Sequence, residues 1–89
     1  MGAYTWHEGL EEAVELDDEW LVFHPGRFTV TKLNESGGVC WDLLRQPQTP
    51  DHLAEELVRL YAIDERDAQA DVSLFLSHML ELGLIRHAG

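Results

Sequence analysis

Between Arg27 and Trp41 the sequence RFTVTKLNESGGVCW changes its period, and that change limits the folds open to the chain. From Arg27 to Leu33 the side chains alternate, with Phe28, Thr29, Val30 and Thr31 supplying the aromatic and β-branched types that suit a pleated surface. The run predicts a strand. Asn34-Glu35-Ser36-Gly37-Gly38 then offers turn and helix-capping chemistry, after which Val39, Cys40, Leu43 and Leu44 recur at helical spacing. A short helix is expected from about Ser36 to Arg45, stopped by Pro47.

The segments on either side make sense around this junction. Upstream, Ala13–Leu16 alternates and is ended by Asp17-Asp18-Glu19, and Trp20–His24 forms a second run that Pro25-Gly26 turns back. With only two turn residues before Arg27, the runs predict a hairpin and hence a three-stranded antiparallel meander. Residues 1–11 are expected to form a flexible N-terminal arm, with Tyr4 and Trp6 on the fold's edge or on a partner, leaving 12–89 as the domain. Downstream, Thr49 suits an N-cap, Pro50 the first helical position and Asp51 the positive helix end, while Leu53, Leu57, Leu60 and Tyr61 share a face. That helix should end near Ala62. A third begins at the N-cap Asp64 and carries Ala68, Val72, Phe75, Leu76, Met79 and Leu82 on one stripe before Gly83 closes it in a left-handed conformation.

A sheet this small needs a cover, and the helices supply it. The expected class is therefore α+β, winged helix-turn-helix-like, with a three-stranded antiparallel sheet followed by three helices. At 89 residues the chain has room for one modest core. No apolar run exceeds four residues and the N-terminus lacks a basic start with an apolar stretch, so no membrane span or secretory signal is read and a cytoplasmic location is expected.

Six Lys and Arg against 17 Asp and Glu leave a net charge of −11. Such a surface repels phosphate backbones and anionic lipid, which argues against nucleic-acid and membrane partners and favours a basic one. The second helix offers only Arg59 among Asp51, Glu55 and Glu56, a poor recognition helix for DNA. Cys40 is the single cysteine, and the five histidines show no metal-ligand spacing. Gly37-Gly38 opens a helix without the Lys-Ser/Thr pair of a phosphate loop, and no nucleophile stands with a base. Neither catalysis nor a metal or other cofactor is expected.

The series Lys32-Leu33-Asn34-Glu35-Ser36-Gly37, Cys40-Trp41, Thr49 before a Leu-rich helix, Asp71-Val72, Phe75-Leu76, Leu80 and Gly83-Leu84-Ile85 resembles the PqqD-like family, also called RiPP recognition elements, over residues 12–86. Cys40 departs from the family's usual aliphatic residue, a small change for a buried thiol. The resemblance implies a non-catalytic domain that holds the leader of a ribosomally made precursor peptide as an added strand on the third strand, against the third helix, and delivers it to a processing enzyme. The matching positions are Arg27, Phe28, Thr29, Val30, Thr31 and Lys32 on the strand, with Asp67, Asp71, Leu74, Phe75 and His78 on the helix. Among relatives the chain is most similar to the discrete leader-binding subunit of split lasso-peptide proteases; a PqqD-type chaperone for a radical enzyme and a winged-helix regulator are the alternatives. An edge strand with free backbone groups suits the first two.

Overall fold

The computed structural model describes residues 2–8, 13–16, 19–24 and 26–88, with 13–16 as backbone. Its elements are β1 (Tyr4–Trp6), β2 (Ala13–Leu16), β3 (Glu19–His24), β4 (Thr29–Leu33), α1 (Glu35–Leu43), α2 (Pro50–Tyr61), α3 (Glu65–Glu81) and β5 (Ile85–His87). The α+β class and the meander followed by three helices are as expected. Strands β2, β3 and β4 form an antiparallel sheet in that order, with Trp20 opposite Leu33 and Val22 opposite Thr31.

Three expectations need correction. The described strands number five, in two sheets, because β1 pairs antiparallel with β5, Trp6 opposite Ile85. Residues 4–6 are thus no free arm. Thr5 Oγ1 donates to Leu44 O at 2.8 Å, Trp6 Nε1 donates to Trp41 O at 2.7 Å, and the Trp6 indole stacks on Trp41 with centroids 4.8 Å apart. Of the rest of that arm, residues 9–12 lie outside the described residues. The hairpin is longer than two residues, since His24 pairs with Thr29 and 26–28 are turn, Pro25 lying outside the described residues. Phe28 sits there at φ 53°, a left-handed conformation incompatible with a ladder, so Arg27 and Phe28 belong to the turn and not to the strand. Lastly, α1 stops at Leu43 rather than Arg45.

The caps follow from side-chain chemistry. Asn34 Oδ1 accepts from Gly37 N at 2.8 Å to start α1, Thr49 Oγ1 accepts from His52 N at 3.2 Å to start α2, and Asp64 opens α3. Such caps satisfy amides that have no partner inside the helix. Gly83 ends α3 at φ 74°, as only glycine does without strain. Between the sheet and the helices lies one core, built from Val22, Leu33, Trp41, Leu44, Leu53, Leu57, Val72, Leu76, Met79, Leu84 and Ile85. Helices α2 and α3 form a hairpin through a short connection, and α1 lies against β3 and β4.

Candidate functional site

Strand β4 ends the three-stranded sheet, so among the described residues only β3 pairs with it and its second edge is open. Side chains alternate across it as the pleat requires. Leu33, Thr31 and Thr29 share a face with Trp20, Val22 and His24, and the burial of Val22 and Leu33 marks that face as the one toward the helices. Val30 and Lys32 point the other way: Val30 is 62% exposed, and Lys32 Nζ lies 2.9 Å from Glu19 Oε1. These two offer an incoming chain their backbone, not a groove-facing side chain.

Helix α3 supplies the opposing wall. Asp67, Asp71, Leu74 and His78 recur at i, i+4, i+7 and i+11 and are all exposed, Leu74 by 72%, with half-buried Phe75 beside them. One face of the helix therefore carries every helical candidate. Two contacts orient it toward the hairpin. Asp71, Val72, Leu74 and Phe75 line a groove of about 250 Å3 whose other side is Asn34, Ser36 and Gly37, with Cys40 and Leu57 beneath. At the far end, Arg27 Nη1 donates to Glu81 O at 3.2 Å, joining the β3–β4 turn to the last turn of α3. The groove thus lies between the start of α1, just past the end of β4, and α3, and the Arg27 bond ties the β3–β4 turn to the other end of the same helix.

Of the sequence candidates, Asp71, Leu74 and Phe75 meet in the groove lining, and Arg27 is bonded to the last turn of the same helix. Thr29 and Thr31 lie on the helix-facing side of β4. Asp67 and His78 share the helical face without lining that cavity, and Phe28 stands 84% exposed at the turn. Asn34, Ser36, Gly37, Cys40 and Leu57 were not among the candidates. For Asn34, Ser36 and Gly37 the available signal was helix capping at the end of an edge strand. Burial pushes the Cys40 thiol up to about 11, so this floor atom is neutral and unreactive at physiological pH.

Charge divides along the groove. Asp67 and Asp71 occupy the Asn34 half, whereas Arg27 stands at the other end with His78 in the last turn of α3. Among the described residues no group of three His, Cys, Asp or Glu side chains could hold a metal ion, and no helix is long and apolar enough to cross a membrane.

Comparison with known proteins bears on the same region. TbiB1 in complex with the TbiA(beta) leader peptide is similar with a TM-score of 0.82 at 20% identity, covering 96% of this chain and 98% of that one. Lasso peptide synthetase B1 complexed with the leader peptide gives 0.79 at 16% identity, covering 93% and 96%. The solution structure of the PqqD truncation of Methylobacterium extorquens PqqCD, a stand-alone RiPP recognition element, gives 0.76 at 15%, covering 94% and 88%. At these identities the likeness is one of fold. No curated protein sequence matches the chain. The family model of coenzyme PQQ synthesis protein D matches residues 19–85, three quarters of the chain and all of the groove, and the chain belongs to the PqqD family.

Proposed function

We propose that this protein captures the leader segment of a ribosomally made precursor peptide and presents it to a processing enzyme, without carrying out a chemical step itself. The observation that carries the reading is the open edge of β4, which leads at Asn34 into an apolar-floored groove walled by the exposed face of α3. A peptide laid along that edge gains main-chain hydrogen bonds from β4 and a side-chain pocket between Asn34 and Phe75, the combination that strand addition uses for affinity and register. Similarity to two structures that hold leader peptides supports it. The leader is basic on this reading, because Asp67 and Asp71 face it from a chain of net charge −11.

One of the similar structures is of a lasso peptide synthetase B1, which favours a leader protease as recipient; the family match favours, as a second reading, a PqqD-type role beside a radical enzyme. A DNA-binding role has less support, since Arg59 on α2 is held by Glu56 through bonds of 2.8 and 3.1 Å. The cytoplasm is the proposed site of action, where precursors are synthesised.

Proline substitution on β4 tests the reading. Neighbouring strand residues direct their N–H groups to opposite edges, so one of Val30→Pro and Thr29→Pro removes a donor from the open edge. Each lost bond costs about 0.5–1.5 kcal/mol net, and the fixed φ disturbs its neighbours. Calorimetric titration of the folded variants with a leader peptide that the wild-type protein binds should show at least one without measurable binding. Wild-type affinity in both would sink strand addition.

A further inference from the structure

Arg27 is fixed at both ends. Its main-chain N–H donates to His24 O at 3.3 Å and to His24 Nδ1 at 3.2 Å, and its guanidinium Nη1 donates to Glu81 O at 3.2 Å. The rest of the group lies flat over Gly83, so close that a Cβ there would stand 2.9 Å from Nη2 and 3.0 Å from Cζ. Lys32, Arg45 and Arg59 each hold a carboxylate, at 2.9, 2.9 and 2.8 Å, whereas Arg27 holds none among the described residues. A guanidinium has five N–H donors, and one is in use here. The result is an oriented cation with free donors between the β3–β4 turn and the last turn of α3, in a strongly acidic protein.

Resting on the peptide-capture reading above, we propose that Arg27 reads a carboxylate side chain of the bound peptide and thereby fixes the register of the strand along β4. Guanidinium and carboxylate match in a two-bond fork that a carbonyl cannot offer, so an acidic side chain is the chemistry this group takes. The opposite end of the groove has the opposite sign, at Asp71. From Asp71 to Glu81, whose carbonyl holds Arg27, α3 advances ten residues, about 15 Å at helix rise, so a peptide in register places its acidic residue about four or five positions from a basic one. A peptide slid by two residues loses both contacts at once. The competing role for Arg27 is that of a cation at a helix C-terminus, which would stabilise α3 and select nothing.

Selection from a displayed library of random peptides, about 14 residues each to exceed that span, separates the two on the full 89-residue chain. Wild-type protein should enrich peptides with Asp or Glu about four or five positions from Lys or Arg. Arg27→Lys should keep that preference. Arg27→Glu, with its fold checked by thermal melting, should reverse it at the acidic position alone, by about three- to tenfold as expected for an exposed pair turned into a repulsion, and keep the basic position. The same residue distribution from wild type and Arg27→Glu overturns the proposal while the groove reading stands. Failure of every variant, wild type included, to enrich any peptide overturns both.

Discussion

Gly38, in the first turns of α1, faces the indole of Trp20 on β3 so closely that a Cβ would stand 2.0 Å from Cδ1 and 2.1 Å from Nε1. Ordinary contact begins near 3.4 Å, so in Gly38→Ala the ring or the helix must retreat by more than 1 Å. Trp20 is half-buried and pairs with Leu33 at the end of β4, so the ring cannot move without disturbing the strand that forms one wall of the groove. Overpacking of this kind costs about 2–3 kcal/mol, and alanine returns about 1 kcal/mol through helix propensity. The net loss is about 1–2 kcal/mol, or roughly 5–15 °C of melting temperature in a domain of this size. Gly37→Ala is the matched control: its Cβ would meet Asn34 Oδ1 at 3.1 Å and Leu33 Cβ at 3.4 Å, so it should be near neutral. Thermal melts followed by circular dichroism read both, with tryptophan emission reporting the displaced indole. A Gly38→Ala protein that melts with or above wild type would refute the argument that this contact sets the spacing of α1 and β3.

Raising ionic strength to where the Debye length falls below about 8 Å should weaken leader binding if Asp67 and Asp71 hold a basic peptide, and fluorescence titration at low and high salt reads it; an unchanged dissociation constant would assign affinity to apolar and main-chain contacts. Leu53 is fully buried and outside the groove, so Leu53→Ala should cost about 2–5 kcal/mol in urea denaturation while the folded protein binds leader normally. Leu57→Ala, at the groove floor, should lose both stability and affinity. Cys40 has a folded pKa of about 11 against an ordinary 9.0, so its contribution is complete below pH 9 and lost as pH rises toward 11. That is of the order of 2–3 kcal/mol, and Cys40→Ala should therefore show a flatter decline in stability across that window than wild type.

The parts that sequence foretold are those specified by neighbours along the chain. Thr49 with Pro50, Asp64, and Gly83 at φ 74° each do locally what their chemistry dictates, and α2 and α3 fall where expected. The α3 wall was legible too, because Asp71, Leu74 and Phe75 lie within one helical turn of each other. The facing wall was not. Asn34, Ser36 and Gly37 carry capping signals, and that they also border a groove depends on where α3 returns, some forty residues later. Leu57 likewise shows in sequence only as one of the apolar residues on a face of α2, and that it floors the cavity depends on where α1 and α3 pack. Pro25-Gly26 suggested a two-residue turn, and the left-handed Phe28 that lengthens it belongs to a residue type that seldom adopts φ 53°. Strands β1 and β5, three residues each, are too short to show a period, and each becomes a strand only beside the other.

That last pairing bears on how the molecule assembles. Tyr4 meets His87 across nearly the whole length of the chain, the most costly loop in the structure to close. The α2–α3 hairpin and the β3–β4 hairpin join near neighbours, and their ordering shortens the distance that the ends must search. The terminal ribbon is therefore the last part to dock and the first to open. Amides bonded only through it, those of Trp6, His7 and Ala88, share one opening event, after which the Trp41 ring loses its stacked partner while β4 and α3 stay in place. The groove lining takes nothing from the ribbon that completes the core, so the protein can open at its ends while its cleft keeps its form.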